Sequence, residues 1–242
     1  MAVNLKYVWD VNNRILDYAC VDYCIKQFDD EESIKEKAVD FVFSKSSDLE
    51  LDHILARVSI LNLFYSAGLN TYEPSKEGKH AIDIVNMAKR IHSKREQLNE
   101  LFSQVRNNPC CSDSRFKAVN LIACDNEEGN APLLFNRAFS FASKYCSWIN
   151  QDRFPILDSY SKLMLKELNN SIGFYKGKIG NIDNNYYQFC RLFEAFKQVL
   201  ESRALKEYST KDIDKFLWYY GKYHQTTEFE EGLNAYKENS KK

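Results

Sequence analysis

The sequence predicts an all-α fold in which two helical lobes flank a cleft. Three observations support this. Apolar residues recur at helical spacing over most of the chain, each interruption has a local chemical cause, and no Pro/Ser-rich linker divides the 242 residues. The chain therefore reads as one all-α unit, 1–242. A central helical lobe covers about 50–130, and a second lobe combines 1–49 with 131–225. Residues 226–242 read as a polar tail that frays.

In order, residues 8–28 and 31–44 read as two helices. In 51–64, Leu51, Ile54, Leu55, Val58 and Leu61 fall at i, i+3, i+4, i+7 and i+10, which stacks them on one helical face. Ile84, Val85, Ala88 and Ile91, then Leu98, Leu101, Phe102 and Val105, repeat the pattern over 81–91 and 98–106. The short apolar stretch 116–124 fits a helix or a buried strand equally well. Breaks are expected at Pro109, at 126–132 and at Phe154-Pro155, because proline disfavours helical backbone at the residue before it. "GFYKGKIGN" (173–181) reads as a mobile connection. Phe189, Leu192, Phe193, Phe196, Val199 and Leu200 mark another helix. Ser209 with Asp212 reads as an N-cap pair before "IDKFLWYYGKY", which Gly221 is expected to stop.

Composition excludes several classes. Lys+Arg (33) balances Asp+Glu (34), so there is no strongly basic footprint. No apolar run approaches the roughly 20 residues of a membrane helix, and the N-terminus lacks a signal-peptide core, which predicts a cytoplasmic protein. The 7 cysteines, at 20, 24, 110, 111, 124, 146 and 190, lack zinc or iron–sulfur spacing and read as free thiols. His53, His80, His92 and His224 show no ligand spacing and read as surface groups. With neither G-x-G-x-x-G nor a Walker loop, no metal or cofactor is expected.

The segment "FASKYCSWINQDRFPILDSYSKLML" (141–165) carries the chemistry. A helix over about 133–149 places Leu134, Ala138, Phe141, Ala142, Tyr145 and Ile149 on an apolar stripe, with Arg137, Ser140 and Lys144 on a neighbouring face. The next helix starts at Asp158 or Ser159. A carboxylate there meets free backbone N–H groups and the positive end of the helix dipole, both of which favour its ionised form. Capping alone also explains an aspartate at this position.

"FPILDSYSKLML" resembles the turn of helix-hairpin-helix DNA glycosylases, and "LARVSILNLFYSAGLNT" (55–71) is similar to an earlier helix of that family. The resemblance covers roughly residues 50–170. It implies a glycosylase-like fold, double-stranded DNA with a modified base as partner, base flipping, and hydrolysis of the N-glycosidic bond with Asp158 as catalytic carboxylate. Lys144 would assist. Arg137, Ser140, Lys162, Lys176 and Lys178 would line the DNA, and Gly68, Leu69 or Asn70 would wedge into the vacated stack. The 16 Phe, 15 Tyr and 3 Trp residues offer rings to sandwich a flipped base. The chain departs from the family pattern twice: "LFNRAFSF" has no glycine in the hairpin, and Ser140 stands where bifunctional members carry a Schiff-base lysine. The implied reaction is hydrolysis, on foreign DNA such as that of a phage; Lys144, one turn after Ser140 on the same face, leaves abasic-site cleavage as an open alternative. The alternative is a non-catalytic helical module that binds protein or DNA, with Asp158 only a cap.

Overall fold

The computed structural model describes residues 5–10, 15–44, 50–65, 69, 83–108, 112–125, 136–177, 179, 182, 185–203 and 207–240. Ten helices are present among them: α1 Tyr18–Ser44, α2 Leu51–Tyr65, α3 Ile84–Ser93, α4 Arg95–Asn107, α5 Ser112–Cys124, α6 Asn136–Ile149, α7 Ser159–Ile172, α8 Tyr186–Arg203, α9 Thr210–Tyr223 and α10 Thr227–Asn239. A short antiparallel pair, β1 Trp9–Asp10 and β2 Ile15–Leu16, precedes them. The fold is all-α apart from this pair. No described helix is long and apolar enough to cross a membrane.

The chain divides into two compact units. Unit 1 comprises Met1–Ser33, Asp158–Ile182 and Gln188–Lys242; unit 2 comprises Ile34–Leu157 and Asp183–Tyr187. The expected lobes differ from these: residues 34–49 and 131–157 fall in unit 2, and 226–242 falls in unit 1.

In unit 2, α5 packs on α6 and α4, and α2 packs on α3 and α6. Helix α6 is buried on every side: from Ala138 to Trp148 only Ser140 rises to half-buried. Of the polar face expected along this helix, Lys144 is buried and Ser140 half-buried. Residues 116–124 belong to α5, which removes the strand alternative. The C-terminal part of α1 brings Phe43 against Tyr145 and Trp148, with ring centroids 5.5 and 6.0 Å apart.

In unit 1, Asp17 starts α1 by accepting the Cys20 N–H at 3.2 Å. That helix runs unbroken for 27 residues, where the sequence suggested two. Its polar 29–37 stretch has good helix formers and no breaker, so propagation continues through it. The expected Ser209/Asp212 pair is a complete capping box opening α9. Gly221 does not stop α9, which continues to Tyr223. The residue serves close packing instead: a Cβ there would lie 2.9 Å from Tyr160 Cβ of α7. The expected fraying tail is α10, whose Phe229 and Leu233 are buried at i, i+4, with the Phe229 ring against Tyr23 and Tyr220. His224, expected at the surface, is 6% exposed and stacks on Tyr220 at 5.0 Å.

Candidate functional site

The approach to Asp158 is built within unit 2. Phe154, Pro155, Ile156 and Leu157 are buried. The Leu157 N–H donates to Ser143 Oγ at 3.0 Å, and the Tyr186 hydroxyl donates to the Pro155 carbonyl at 2.9 Å. These bonds satisfy backbone groups that the proline break leaves without a helical partner.

Unit 1 resumes at Asp158, the N-cap of α7, with extended backbone (φ −126°, ψ −177°). Its Oδ1 accepts the Ser161 N–H at 2.7 Å, and its own N–H donates to Ser161 Oγ at 3.0 Å, a closed capping box. The side chain is half-buried, and among the described residues none donates a hydrogen bond to Oδ2. One oxygen is thus fixed by the helix end, and the other is uncommitted. At the far end of α7, Gly173 adopts the left-handed conformation (φ 69°) and donates to the Asn169 carbonyl at 2.7 Å.

The other expected site residues are dispersed. Lys144 is buried in unit 2. Its Nζ donates to the Tyr65 carbonyl at 3.3 Å, and it lies 5.8 Å from the Tyr65 ring. Tyr65 is the last residue of α2, so this ammonium supplies the cation that α2 lacks in its own last turn. Arg57, 2% exposed, does the same for α1, donating from Nη2 to the Phe43 carbonyl at 3.3 Å. Burial pushes the neighbouring Tyr145 phenol up to about 12, against the opposing pull of Arg57. Ser140 is half-buried, and its carbonyl accepts the Ser143 hydroxyl. Leu69 is 5% exposed, with its N–H on Asn62 Oδ1 at 3.1 Å; its side chain is packed inside rather than presented for insertion. Lys162 on α7 is half-buried and Lys176 is exposed. Asn70, Gly68, Lys178 and the side chain of Arg137 lie outside the described residues.

Sequence reasoning missed a cleft in unit 1 of about 320 Å³, lined by Asp22, Asp29, Asp30, Glu207 and Asp212 with Lys26, Tyr208 and Tyr236. The available signal was the spacing of Asp22, Asp29 and Asp30 at i, i+7 and i+8, one face of a helix. Three of these acids have partners. The Tyr208 hydroxyl donates to Asp22 at 3.0 Å, Lys215 pairs with Asp29 at 2.6 Å, and Asp212 closes its capping box. Burial, then the Asp22 charge, raises the Tyr208 phenol well above its usual range, so Tyr208 remains a donor. Among the described residues no group of His, Cys, Asp or Glu is arranged to hold a metal ion.

A family model, the HI_0787_N N-terminal domain, matches residues 20–153, more than half of the sequence; the chain belongs to this family. It is also 34% identical over 84 residues to an uncharacterised protein of Haemophilus influenzae, a match covering 35% of this chain and 37% of that protein's length. No solved structure matches. The family match ends five residues before Asp158, so it takes in α6 and Lys144 but not the carboxylate.

Proposed function

We propose that the chain is a glycosylase-like DNA-acting enzyme that flips out a modified base and hydrolyses its N-glycosidic bond, with Asp158 as the catalytic carboxylate. The supporting observation is the split role of that side chain: Oδ1 is pinned by the Ser161 N–H at 2.7 Å, while no described residue donates to Oδ2. The carboxylate sits at the N-terminal, positive end of the α7 dipole. An ionised carboxylate held in this way stabilises an oxocarbenium-like sugar or takes a proton from the attacking water. Water oxygen then bonds to the sugar C1′, the bond to the base breaks, and the base leaves with a proton. Ser140 offers no amine for a Schiff base, which keeps the reaction at hydrolysis and leaves an abasic site. The substrate class is duplex DNA carrying modified bases, as in foreign DNA.

The test is base release from a panel of duplexes with different modified bases, using wild type, Asp158→Asn and Asp158→Ala. Asparagine keeps the cap, whereas alanine removes it at a cost of about 1 kcal/mol of stability. Release by wild type and loss in both variants is the expected result. Full release by Asp158→Asn would remove the carboxylate from the mechanism.

One observation favours a second reading. The acidic cleft of unit 1 repels phosphate and suits a cationic segment of a protein partner. On that reading the chain is a helical interaction module, Asp158 is only a cap, and wild type releases no base from any duplex.

A further inference from the structure

From the geometry at the C-terminal end of α9, we infer that Lys222 is a DNA-phosphate contact of the Asp158 site, held ready by Trp218 and Tyr223. The inference rests on the DNA-acting reading above and extends it to a residue outside the segments that suggested it. Tyr160, the second residue of α7, meets the last turns of α9. Its Cβ lies 2.9 Å from where a Gly221 Cβ would stand, and its ring is 6.3 Å from that of Trp218. The residue after Gly221 and the residue two before Tyr160 are Lys222 and Asp158, so the close crossing fixes both at the same end of the α7–α9 pair.

Lys222 is exposed, yet its ammonium is not loose. It sits 4.2 Å from the Trp218 ring centroid and 4.7 Å from that of Tyr223. No carboxylate among the described residues pairs with it. The rings are themselves braced, Trp218 edge-on to Phe28 at 5.3 Å and Tyr223 against Tyr219 at 4.6 Å. A lysine ordinarily loses much rotamer freedom on docking to a phosphate. Here the rings have already restricted it, while its charge remains unneutralised and open to solvent. A paired surface lysine would have to give up a carboxylate first. Lys215, on the same helix but bound to Asp29 at 2.6 Å, is in that position.

The experiment is fluorescence anisotropy of a labelled duplex carrying an abasic-site analogue, titrated with full-chain wild type, Lys222→Gln and Lys222→Arg across a sodium chloride series. Lys222→Gln is expected to weaken binding about three- to tenfold at low salt and to reduce the log–log salt slope by about one, as the loss of one phosphate contact requires. Lys222→Arg, which keeps the cation, should restore the slope. A merely structural cation at the end of α9 would alter melting without altering the salt slope. Wild-type affinity and slope in Lys222→Gln overturn the inference even if bases are released. An affected Lys222→Gln with no base release from any duplex supports the contact and sinks the excision reading alone. Failure of wild type to bind the duplex at any salt concentration overturns both.

Discussion

The Lys144 ammonium of α6 donates to the carbonyl of Tyr65, the residue that ends α2, at 3.3 Å. A buried cation is expensive unless its protons are used, and a helix end carries carbonyls without partners. The two requirements meet at this bond. Arg57 at the Phe43 carbonyl repeats the arrangement for α1.

Lys144→Met keeps the aliphatic stem and removes the donor. The carbonyl of half-buried Tyr65 at the end of α2 then loses this donor, and the negative end of the helix dipole loses the ammonium beside it. The expected cost is about 1–2 kcal/mol, or a Tm lowered by about 2–8 °C, measured by calorimetry or circular dichroism. An unchanged Tm would show that the bond contributes nothing net.

Gly221→Ala tests the α7–α9 crossing. In an open helix interior this change gains up to about 1 kcal/mol. Here the new methyl would approach Tyr160 Cβ at 2.9 Å, and a Cβ cannot swing aside as a side-chain tip does. Strain of about 1–3 kcal/mol should outweigh the propensity gain, giving a net loss in denaturant unfolding. A more stable variant would mean that the two helices separate at little cost.

His224 gives a pH dependence of definite sign. Burial lowers its pKa from the usual 6.5, against opposing hydrogen bonds to the Tyr220 and Gly221 backbone. Its Nδ1 lies 2.8 Å from the Tyr220 carbonyl, which places a proton on that nitrogen of the neutral ring. The unfolded chain takes up the second proton more readily than the folded one. The stability contributed by the neutral ring is therefore present above about pH 6.5 and is lost as pH falls through the lower folded value. In urea unfolding between pH 8 and pH 5, His224→Gln should show a flatter stability curve than wild type. Parallel curves would remove His224 from the acid response.

Local chemistry was well marked in the sequence. The Asp158 and Ser209 caps, the restart after Phe154-Pro155 and the apolar faces of α2, α3, α4 and α8 depend on neighbours within about one turn, and such signals survive without tertiary context. The failures arose where a distant element decides. Gly221 signals a stop by itself, and only Tyr160 from α7 turns it into a packing residue. Lys144 reads as part of a face beside the apolar stripe of its own helix, and only the end of α2 makes it a buried donor. The last 17 residues look polar, yet Phe229 and Leu233 suffice to seat α10 on aromatic rings of α1 and α9. The acidic cleft needed α1, α9 and the residues preceding α9 brought together, and periodicity along one helix cannot foresee that.

Neither compact unit is a contiguous piece of polypeptide. The backbone passes from one to the other within α1, again at Leu157–Asp158, and twice more around residues 183–187. No single proteolytic cut can release either unit whole, and a fragment trimmed to residues 20–153 discards α7 to α10 while keeping the stretch of α1 that packs with them. Dissecting this protein therefore calls for point substitutions in the intact polypeptide, since that fragment would strip α9 and α10 from the Tyr23 and Phe28 rings of α1.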